Sequence, residues 1–112
     1  MFPIIPANSA AVSGNQEGVI AYGRTTGDSN ISISNLISNA AVISSDVTGV
    51  GTARRELGSC EYSSGKDKAI FAYGNTPGTS AISNLVSNTG VVATDTAGVG
   101  TARYSPGGCS YG

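Results

Sequence analysis

The sequence predicts an all-β fold made of two tandem repeats. Its second half restates the first, since residues 32–54 and 81–103 are identical at 14 of 23 aligned positions at an offset of 49 residues. The hexapeptide GVGTAR is unchanged between the copies. Apolar residues occur in short runs or alternate with polar ones, as in strands, and no window has the apolar spacing of a helix. A duplication this regular indicates units that bury their apolar faces by stacking on copies of themselves.

Four short strands are expected in each repeat. The first is β-branched and aromatic and is closed by Gly, the second alternates with period two, the third begins with paired aliphatic residues, and the fourth follows GVGTAR. The eight predicted strands are, in chain order, residues 19–22, 31–36, 42–46, 54–63, 69–73, 80–86, 91–95 and 103–112.

The loop after the first strand of each repeat differs between the copies. It reads RTTGDSN after Gly23 and NTPGTS after Gly74, and the second copy is two residues shorter in this region. Because insertions cost little in exposed loops, we expect these segments to lie on the surface.

Composition argues against several classes of function. Only 12% of the residues are charged, the net charge is -1 and there is no His, which is unlike a basic nucleic-acid-binding protein. The apolar runs are too short to span a bilayer, and the start MFPIIP lacks the basic region of a signal peptide. We expect neither nucleic acid nor membrane as a partner, and the sequence leaves the localisation open.

We also expect no enzymatic activity and no cofactor. There is no His to act as a base and no Ser in a nucleophile elbow. GVGTAR has neither the Lys of a phosphate-binding loop nor a predicted helix after it. No metal site is expected, because two Cys without His give no known ligand spacing.

Four short strands per 49 residues fit one blade of a β-propeller. The successions GTARYSPGGCSYG and GTARRELGSCEYSSGKDKAIFAYG resemble the kelch repeat, in which an Arg opens an innermost strand and a hydrophobic strand ends in glycine. The resemblance covers about residues 14–112. The chain departs from the family in having a single Gly behind Tyr, where the family has two, and no outer-strand Trp. It is more similar still to the degenerate kelch-like repeats of phage and marine environmental virion-type proteins, which implies a virion or other structural setting, with a virion protein as a partner.

The strand order predicts how such blades would close. We divide the chain into an N-terminal segment 1–13, repeat 1 at 14–63 and repeat 2 at 64–112. The last strand, 103–112, then belongs to a blade that the chain does not contain. We expect it to pair with the open edge of strand 19–22 in another copy, unless residues 5–13 occupy that edge.

Such head-to-tail pairing predicts a homo-oligomer. We expect a trimer with six blades, with a dimer or tetramer as alternatives, and an open solenoid or a sandwich as different architectures. The residues expected at the oligomer interface are Val19, Ile20, Tyr22, Tyr104, Cys109 and Tyr111.

Three repeated pairs are the candidate binding residues. Tyr22 and Tyr73 either stack on a sugar ring or pack between blades. Asp46 and Asp95 either accept backbone N–H groups in a turn or hold a sugar hydroxyl or calcium. Arg54 and Arg103 either pair with these acids or point into the central channel. These residues support the alternative function, a multivalent carbohydrate-binding propeller with one weak site per blade.

Other polar and small residues have structural interpretations. Cys60 and Cys109 are expected to be small buried residues, too far apart for a disulfide. Arg55, present only in the first copy, is expected to be solvated. The Ser and Asn side chains of SNLISN and SNLVSN are expected to cap turns and satisfy strand edges, with a role in recognition as the alternative for Asn35, Asn39, Asn84 and Asn88.

Overall fold

All regular secondary structure in the described part of the chain is β. The computed structural model describes residues 17–112, so the predicted N-terminal segment 1–13 lies outside the described residues. The five strands are β1 (Gly18–Arg24), β2 (Asn30–Ile37), β3 (Gly58–Tyr62), β4 (Lys68–Asn75) and β5 (Thr79–Val86). Residues 17–112 hold no helix with the length and apolar character needed to traverse a bilayer. The predicted all-β class is confirmed.

The strands form two antiparallel sheets. The first sheet contains β1 and β2, and the second has the order β3, β4, β5. The predicted first and second strands of both repeats are therefore confirmed. The hairpin turns between them are exposed and occupy residues 25–29 and 76–78, which confirms the surface loops and accounts for the difference of two residues.

The third predicted strand of each repeat is not a continuous strand. Residues 42–46 and 91–95 lie along β2 and β5, but only isolated bridges join them, such as Ile37 to Ile43 and Val86 to Val92. Side chains interrupt the ladder, because Asn35 Nδ2 donates to Ser44 O and Asn84 Nδ2 donates to Ala93 O. Each Asn side chain thus satisfies a carbonyl that a ladder would give to a backbone N–H group.

The fourth predicted strands differ from one another. In the first copy β3 is shorter than expected, and residues 54–57 precede it as irregular chain. In the second copy residues 103–112 form no strand. They run beside the β3 region at the repeat offset of 49, with Ser105 N donating to Glu56 O and Ser110 Oγ donating to Glu61 O. Within this range only Arg103 forms a bridge, with Ser80, and no described strand lies next to residues 104–112 as β4 lies next to β3.

The core lies between the two sheets and is small. Tyr22 of β1, Phe71 of β4 and Val86 of β5 are its buried apolar residues, with Leu57 and Val92 packed against them. The rings of Tyr22 and Phe71 meet edge to face with centroids 5.6 Å apart. Apolar contact between the two sheets therefore centres on one aromatic pair.

Candidate functional site at the interface between the sheets

In each repeat the GVGTAR loop packs against the equivalent tyrosine, Tyr22 in the first copy and Tyr73 in the second. Tyr22 and Tyr73 have positive φ angles of 66° and are followed by Gly23 and Gly74 with φ of 111° and 114°. At this point the β1–β2 and β4–β5 registers shift, so that the Tyr lies opposite two residues of the neighbouring strand. The resulting bulge turns the Tyr side chain out of strand alternation and towards the loop.

The loop is held by matching bonds in both copies. Tyr22 Oη donates to Val50 O over 2.9 Å, and Tyr73 Oη donates to Val99 O over 3.1 Å. The Gly after each Tyr donates its N–H to the carbonyl of Arg54 or Arg103 over 2.9 Å. The two copies of GVGTAR are therefore the same local structure.

The arginine of each loop lies on the tyrosine of its own repeat. The Arg54 guanidinium carbon is 4.6 Å from the Tyr22 ring centroid, and that of Arg103 is 3.9 Å from the Tyr73 centroid. Each Arg also donates from Nη1 to a carbonyl within its loop, that of Thr52 or Thr101. Cation–π contact and a shared carbonyl fix both guanidinium groups in the same orientation.

Arg54, unlike Arg103, also bonds through its side chain to residues of the second sheet. Its side chain is fully buried; Nε donates to Tyr73 O over 2.8 Å and Nη2 donates to Asn84 Oδ1 over 2.6 Å. Asn84, also fully buried, donates from Nδ2 to Asp95 Oδ1 over 2.9 Å. The cation therefore reaches the carboxylate through an amide rather than by direct contact.

Asp95 ties the network back to the first repeat's loop. Its carboxylate accepts Thr52 N at 3.0 Å and Thr52 Oγ1 at 2.5 Å. Desolvation raises the pKa of the Asp95 carboxyl, but the bonds from Thr52 and Asn84 and the nearby Arg54 cation outweigh it and bring the pKa below its ordinary value. Burial raises the pKa of the Tyr22 phenol, partly offset by Arg54, which keeps the phenol a donor to Val50.

Gly51 permits the close approach of loop and sheet. It has a φ of 82°, and a Cβ placed on it would stand 2.5 Å from Asn84 Nδ2 and 2.6 Å from Asp95 Oδ1. The equivalent Gly100 has a φ of 83°, but its nearest neighbour would be Tyr73 Oη at 3.4 Å. The same loop is therefore packed against a neighbouring sheet at Gly51 and open at Gly100.

At each outer end of the described residues, one half of this site is present without the half that would bond to it. Asn35 Nδ2 donates to Asp46 Oδ1 over 2.9 Å, as Asn84 does to Asp95, but no described residue donates to Asn35 Oδ1. Arg103 is exposed, and among the described residues its Nε and Nη2 have no acceptor. Residues 17–112 thus contain one complete site, an acceptor half near β1 and a donor half after β5.

The structure brings four of the six predicted binding residues together. Tyr22, Arg54 and Asp95 lie in the complete site, and Tyr73 contributes its carbonyl to it. Asp46 and Arg103 lie in the two half-sites at opposite ends. Asp95 does accept a backbone N–H, but that of Thr52 in the other repeat rather than one in its own turn.

Sequence reasoning gave Asn84 a role in recognition only as an alternative and missed Thr52. Both belong to motifs repeated in the sequence, SNL and GVGTAR, and Asn84 lies at a register position that shares a face with buried Phe71 and Val86. The register position of Asn84, rather than its residue type, indicates that its side chain is buried. The neighbouring serines do cap turns as expected, since Ser38 Oγ and Ser87 Oγ accept backbone N–H groups.

Two expectations about single residues are wrong in the isolated chain. Cys60 is half-buried and Cys109 is exposed, because residues 103–112 have no described strand on their outer side; both thiols are free and line one cleft between the sheets. Arg55 is not simply solvated, since Asp28 lies 3.2 Å and Glu56 3.7 Å from its guanidinium nitrogens. The unpredicted hairpin residue Asp28 supplies its main partner.

The chemistry available at the interface is hydrogen bonding and charge neutralisation. Within residues 17–112 no three His, Cys, Asp or Glu side chains come together in a way that could hold a metal ion. The network recognises a guanidinium and a hydroxyl with an amide, a carbonyl and a carboxylate. It is suited to joining one repeat to the next.

No protein-family model and no curated protein sequence matches this chain.

Proposed function

We propose that this chain is a non-enzymatic structural protein whose repeats act as kelch-like propeller blades, and that copies join head to tail into a closed ring. Three chains and six blades are the expected size, and a virion or surface-associated scaffold is the expected setting.

The observation that carries the proposal is the pairing of β3 with β4. In this pair Ser59 lies opposite Phe71 and Cys60 lies opposite Ile70. The repeat offsets of 49 and 51 residues map β3 onto residues 107–111 and β4 onto β1. The equivalent contact would place Gly108 opposite Ile20 and Cys109 opposite Val19, whereas among the described residues of one chain β1 pairs with β2 alone and residues 107–111 form no backbone pairing with it.

Positions that are buried at the internal interface are exposed at the outer ends. Phe71 is 9% exposed, whereas its equivalent Ile20 is 54% exposed. Val50 is partly buried under the second sheet, whereas its equivalent Val99 is 77% exposed. Covering such side chains is worth about 1.5–3 kcal/mol each when burial is complete. A second copy of the chain has the matching surface.

The length of the free segment also fits a donated strand. Tyr104 and Tyr111, 49% and 94% exposed, bracket residues equivalent to the start and end of the β3 region. Strand addition to the outer edge of β1 would satisfy the backbone of both elements and cover an edge that otherwise invites unspecific pairing.

Native mass spectrometry together with sedimentation velocity tests the proposal. We expect a discrete trimer of the 11.1 kDa chain. The variant Ile20→Glu places a carboxylate on the open face of β1 and should dissociate the trimer into folded monomers with unchanged β-sheet circular dichroism. A wild-type chain that stays a folded monomer at high micromolar concentration would overturn the proposal.

Val42→Glu is the matched control for that variant. Val42 is 63% exposed and its equivalent Val91 is 64% exposed, so this position stays open even beside the internal interface. We expect the control to assemble like the wild type. Dissociation by both variants would indicate a general effect of added charge.

The carbohydrate-binding alternative is less well supported by the geometry. One face of the Tyr22 ring is covered by Arg54, and the Asp95 carboxylate is already engaged by Thr52 and Asn84. A glycan array with the assembled protein separates the two functions. Binding that disappears in the Asp46→Ala, Asp95→Ala double variant would favour the lectin.

A further inference from the structure

We infer that Arg103 and Thr101 of one chain complete the Asn35–Asp46 site of the next, forming a second copy of the network that joins the two sheets within one chain. This inference rests on the head-to-tail assembly proposed above and deepens it by naming the polar contact that selects the partner. The ligand of the half-site is thus a guanidinium and a threonine hydroxyl supplied by another copy of the same chain.

The internal interface supplies the template. There Arg54 donates to Tyr73 O and Asn84 Oδ1, while the Asp95 carboxylate accepts both the N–H and the Oγ1 hydroxyl of Thr52. Every donor of this set comes from the first repeat's loop, apart from the Asn84 amide that links the two acceptors. Apart from Thr52 O, which accepts from Arg54 within the loop, every acceptor that Arg54 or Thr52 reaches lies in the second repeat. The contact therefore has direction, from loop to following sheet.

The donor half is already arranged in the second repeat. Arg103 lies over Tyr73 and bonds Thr101 O as Arg54 lies over Tyr22 and bonds Thr52 O. The difference is exposure, since Arg54 is fully buried and Arg103 is exposed. Its guanidinium makes the same two contacts as that of Arg54, and its Nε and Nη2 have no acceptor among the described residues.

The acceptor half is already arranged in the first repeat. Asn35 Nδ2 bonds Asp46 Oδ1 at 2.9 Å and Ser44 O at 3.1 Å, as Asn84 Nδ2 bonds Asp95 Oδ1 at 2.9 Å and Ala93 O at 3.1 Å. This fixes the amide orientation, so that Asn35 Oδ1 is the atom presented to an incoming donor. The carboxylate beside it offers the negative charge.

A guanidinium is the occupant that this half-site fits. At the internal site Arg54 donates from Nε to Tyr73 O and from Nη2 to Asn84 Oδ1, and the Asp95 carboxylate beyond the amide neutralises the charge. By the repeat offsets, Tyr22 O, Asn35 Oδ1 and Asp46 are the equivalent groups of the half-site. The contact also discriminates, because a wrong partner would leave a desolvated Asn or Asp without its donor. Strand pairing would bury surface area between the two chains, whereas this network would fix their register and select another copy of the same chain as the partner.

Two single variants test the inference in the full chain. Arg103→Ala removes the donor half and Asn35→Ala removes the acceptor oxygen, and neither side chain bonds across the sheets within one chain. Each variant should remain folded but should dissociate at a concentration about tenfold or more above the wild-type value, as expected for loss of a hydrogen bond to a charged group. Dilution series by sedimentation velocity give the midpoint. Asn39→Ala, an exposed Asn in the same motif, is the matched control and should leave it unchanged.

A mixing experiment tests the direction of the contact. When the Arg103→Ala and Asn35→Ala chains are combined, the interface between Arg103 of the second and Asn35 of the first is intact. We expect native mass spectrometry to show two-chain species containing one of each variant at concentrations where either variant alone is monomeric.

The outcomes separate the inference from the proposed function. If the wild type assembles and neither variant shifts the dissociation midpoint, or the mixture forms no mixed pairs, the inference is wrong while head-to-tail assembly stands. A monomeric wild type overturns both.

Discussion

At the scale of single residues, the burial of Arg54 sets the largest demand on the fold. Its guanidinium is fully buried and, among residues 17–112, forms no ion pair; one aromatic face, two carbonyls and one amide oxygen take the place of a carboxylate. A buried charge that loses one such partner keeps its desolvation cost. The stability of the inter-sheet contact therefore depends on neutral groups.

Asn84→Ala should expose that dependence. It removes the acceptor of Arg54 Nη2 and the link to Asp95, and we expect the free energy of unfolding to fall by about 2–3 kcal/mol. Urea denaturation of dilute, unassembled protein, followed by circular dichroism, measures the loss. Asn35→Ala makes the same change on the open face of the first sheet and should cost no more than about 0.5 kcal/mol. Equal losses in the two variants would contradict the assigned role.

Asp95 should give the interface a pH dependence in acid. Its pKa is lowered in the folded chain, so its contribution to stability is present above the unfolded value of about 3.9 and is lost as pH falls through the lower folded value. Thermal unfolding between pH 5 and about 2.5 should show a steeper decline for the wild type than for Asp95→Asn.

Asp67 is the control for that measurement. The Ser63 hydroxyl lowers the pKa of this carboxyl as well, but Asp67 is exposed and does not touch the interface, so solvent screens its contribution to stability. We expect Asp67→Asn to keep the acid sensitivity of the wild type. If Asp67→Asn removes the slope and Asp95→Asn does not, the interface is not the acid-sensitive element.

Repetition in the sequence predicts part of the site. Tyr22, Arg54 and Asp95 are candidate residues because they recur, and the structure brings all three together. The amide between Arg54 and Asp95 was not foreseen, since Asn84 is buried only because a loop from the other repeat covers it. The sequence of one repeat carries no information on which face of it is covered.

At the scale of the elements, the GVGTAR loop is one structure used in two environments. Gly51 and Gly100 share a positive φ, so Ala at either site brings the same backbone strain of about 1 kcal/mol. Only Gly51 lies against the neighbouring sheet. The pair separates the conformational demand of the loop from the packing demand of the interface.

We therefore expect Gly51→Ala to destabilise the unassembled chain by about 1–3 kcal/mol more than Gly100→Ala. Denaturant titration at low protein concentration gives both values. Under the proposed assembly, Gly100→Ala should in addition raise the dissociation concentration, because Gly100 then faces Asn35 and Asp46 of the next chain. Identical behaviour of the two variants in both assays would argue against equivalent environments.

The strand pattern was predictable where backbone pairing alone decides it. Alternation and Gly-terminated aromatic runs located β1, β2, β4 and β5 to within about two residues, because each has a hairpin partner close in sequence. Residues 42–46 and 91–95 have the composition of strands, yet Asn35 and Asn84 take carbonyls from their ladders. Residues 103–112 have the composition of β3 without a described partner. Strand formation there depends on a neighbour, which composition does not report.

At the scale of the whole molecule, the two sheets are joined by the Arg54 network, by the Tyr22–Phe71 pair and by the bonds of Asn30 Nδ2 to Asn75 O and Thr76 O. The buried apolar residues among 17–112 are three, while several aliphatic and aromatic side chains on the outer faces are more than half exposed. A chain so arranged gains more from a partner than from further internal packing. Its stability is then linked to its concentration.

The midpoint of thermal unfolding should consequently rise with protein concentration. Assembly stabilises the folded state by mass action, so a hundredfold increase in concentration above the dissociation midpoint should raise the transition by several degrees. Scanning calorimetry of the wild type over that range is the measurement. Ile20→Glu should show a transition that does not move, and a concentration-independent wild type would speak against association.

Because residues 107–111 are the repeat equivalent of β3, the termini of the chain could be moved to the turn after β3 without changing the set of strands. The turn at residues 63–67 links β3 to β4 and is exposed or partly so. A circular permutant would be opened in this turn and would have Gly112 joined to Glu17 by a short linker. Residues 107–111 and β1, which in the proposed ring belong to two chains, would then form a hairpin within one chain. The strand donated to the next chain would be β3. Under the proposed assembly, this permutant should form a ring of the same size and subunit number as the parent chain.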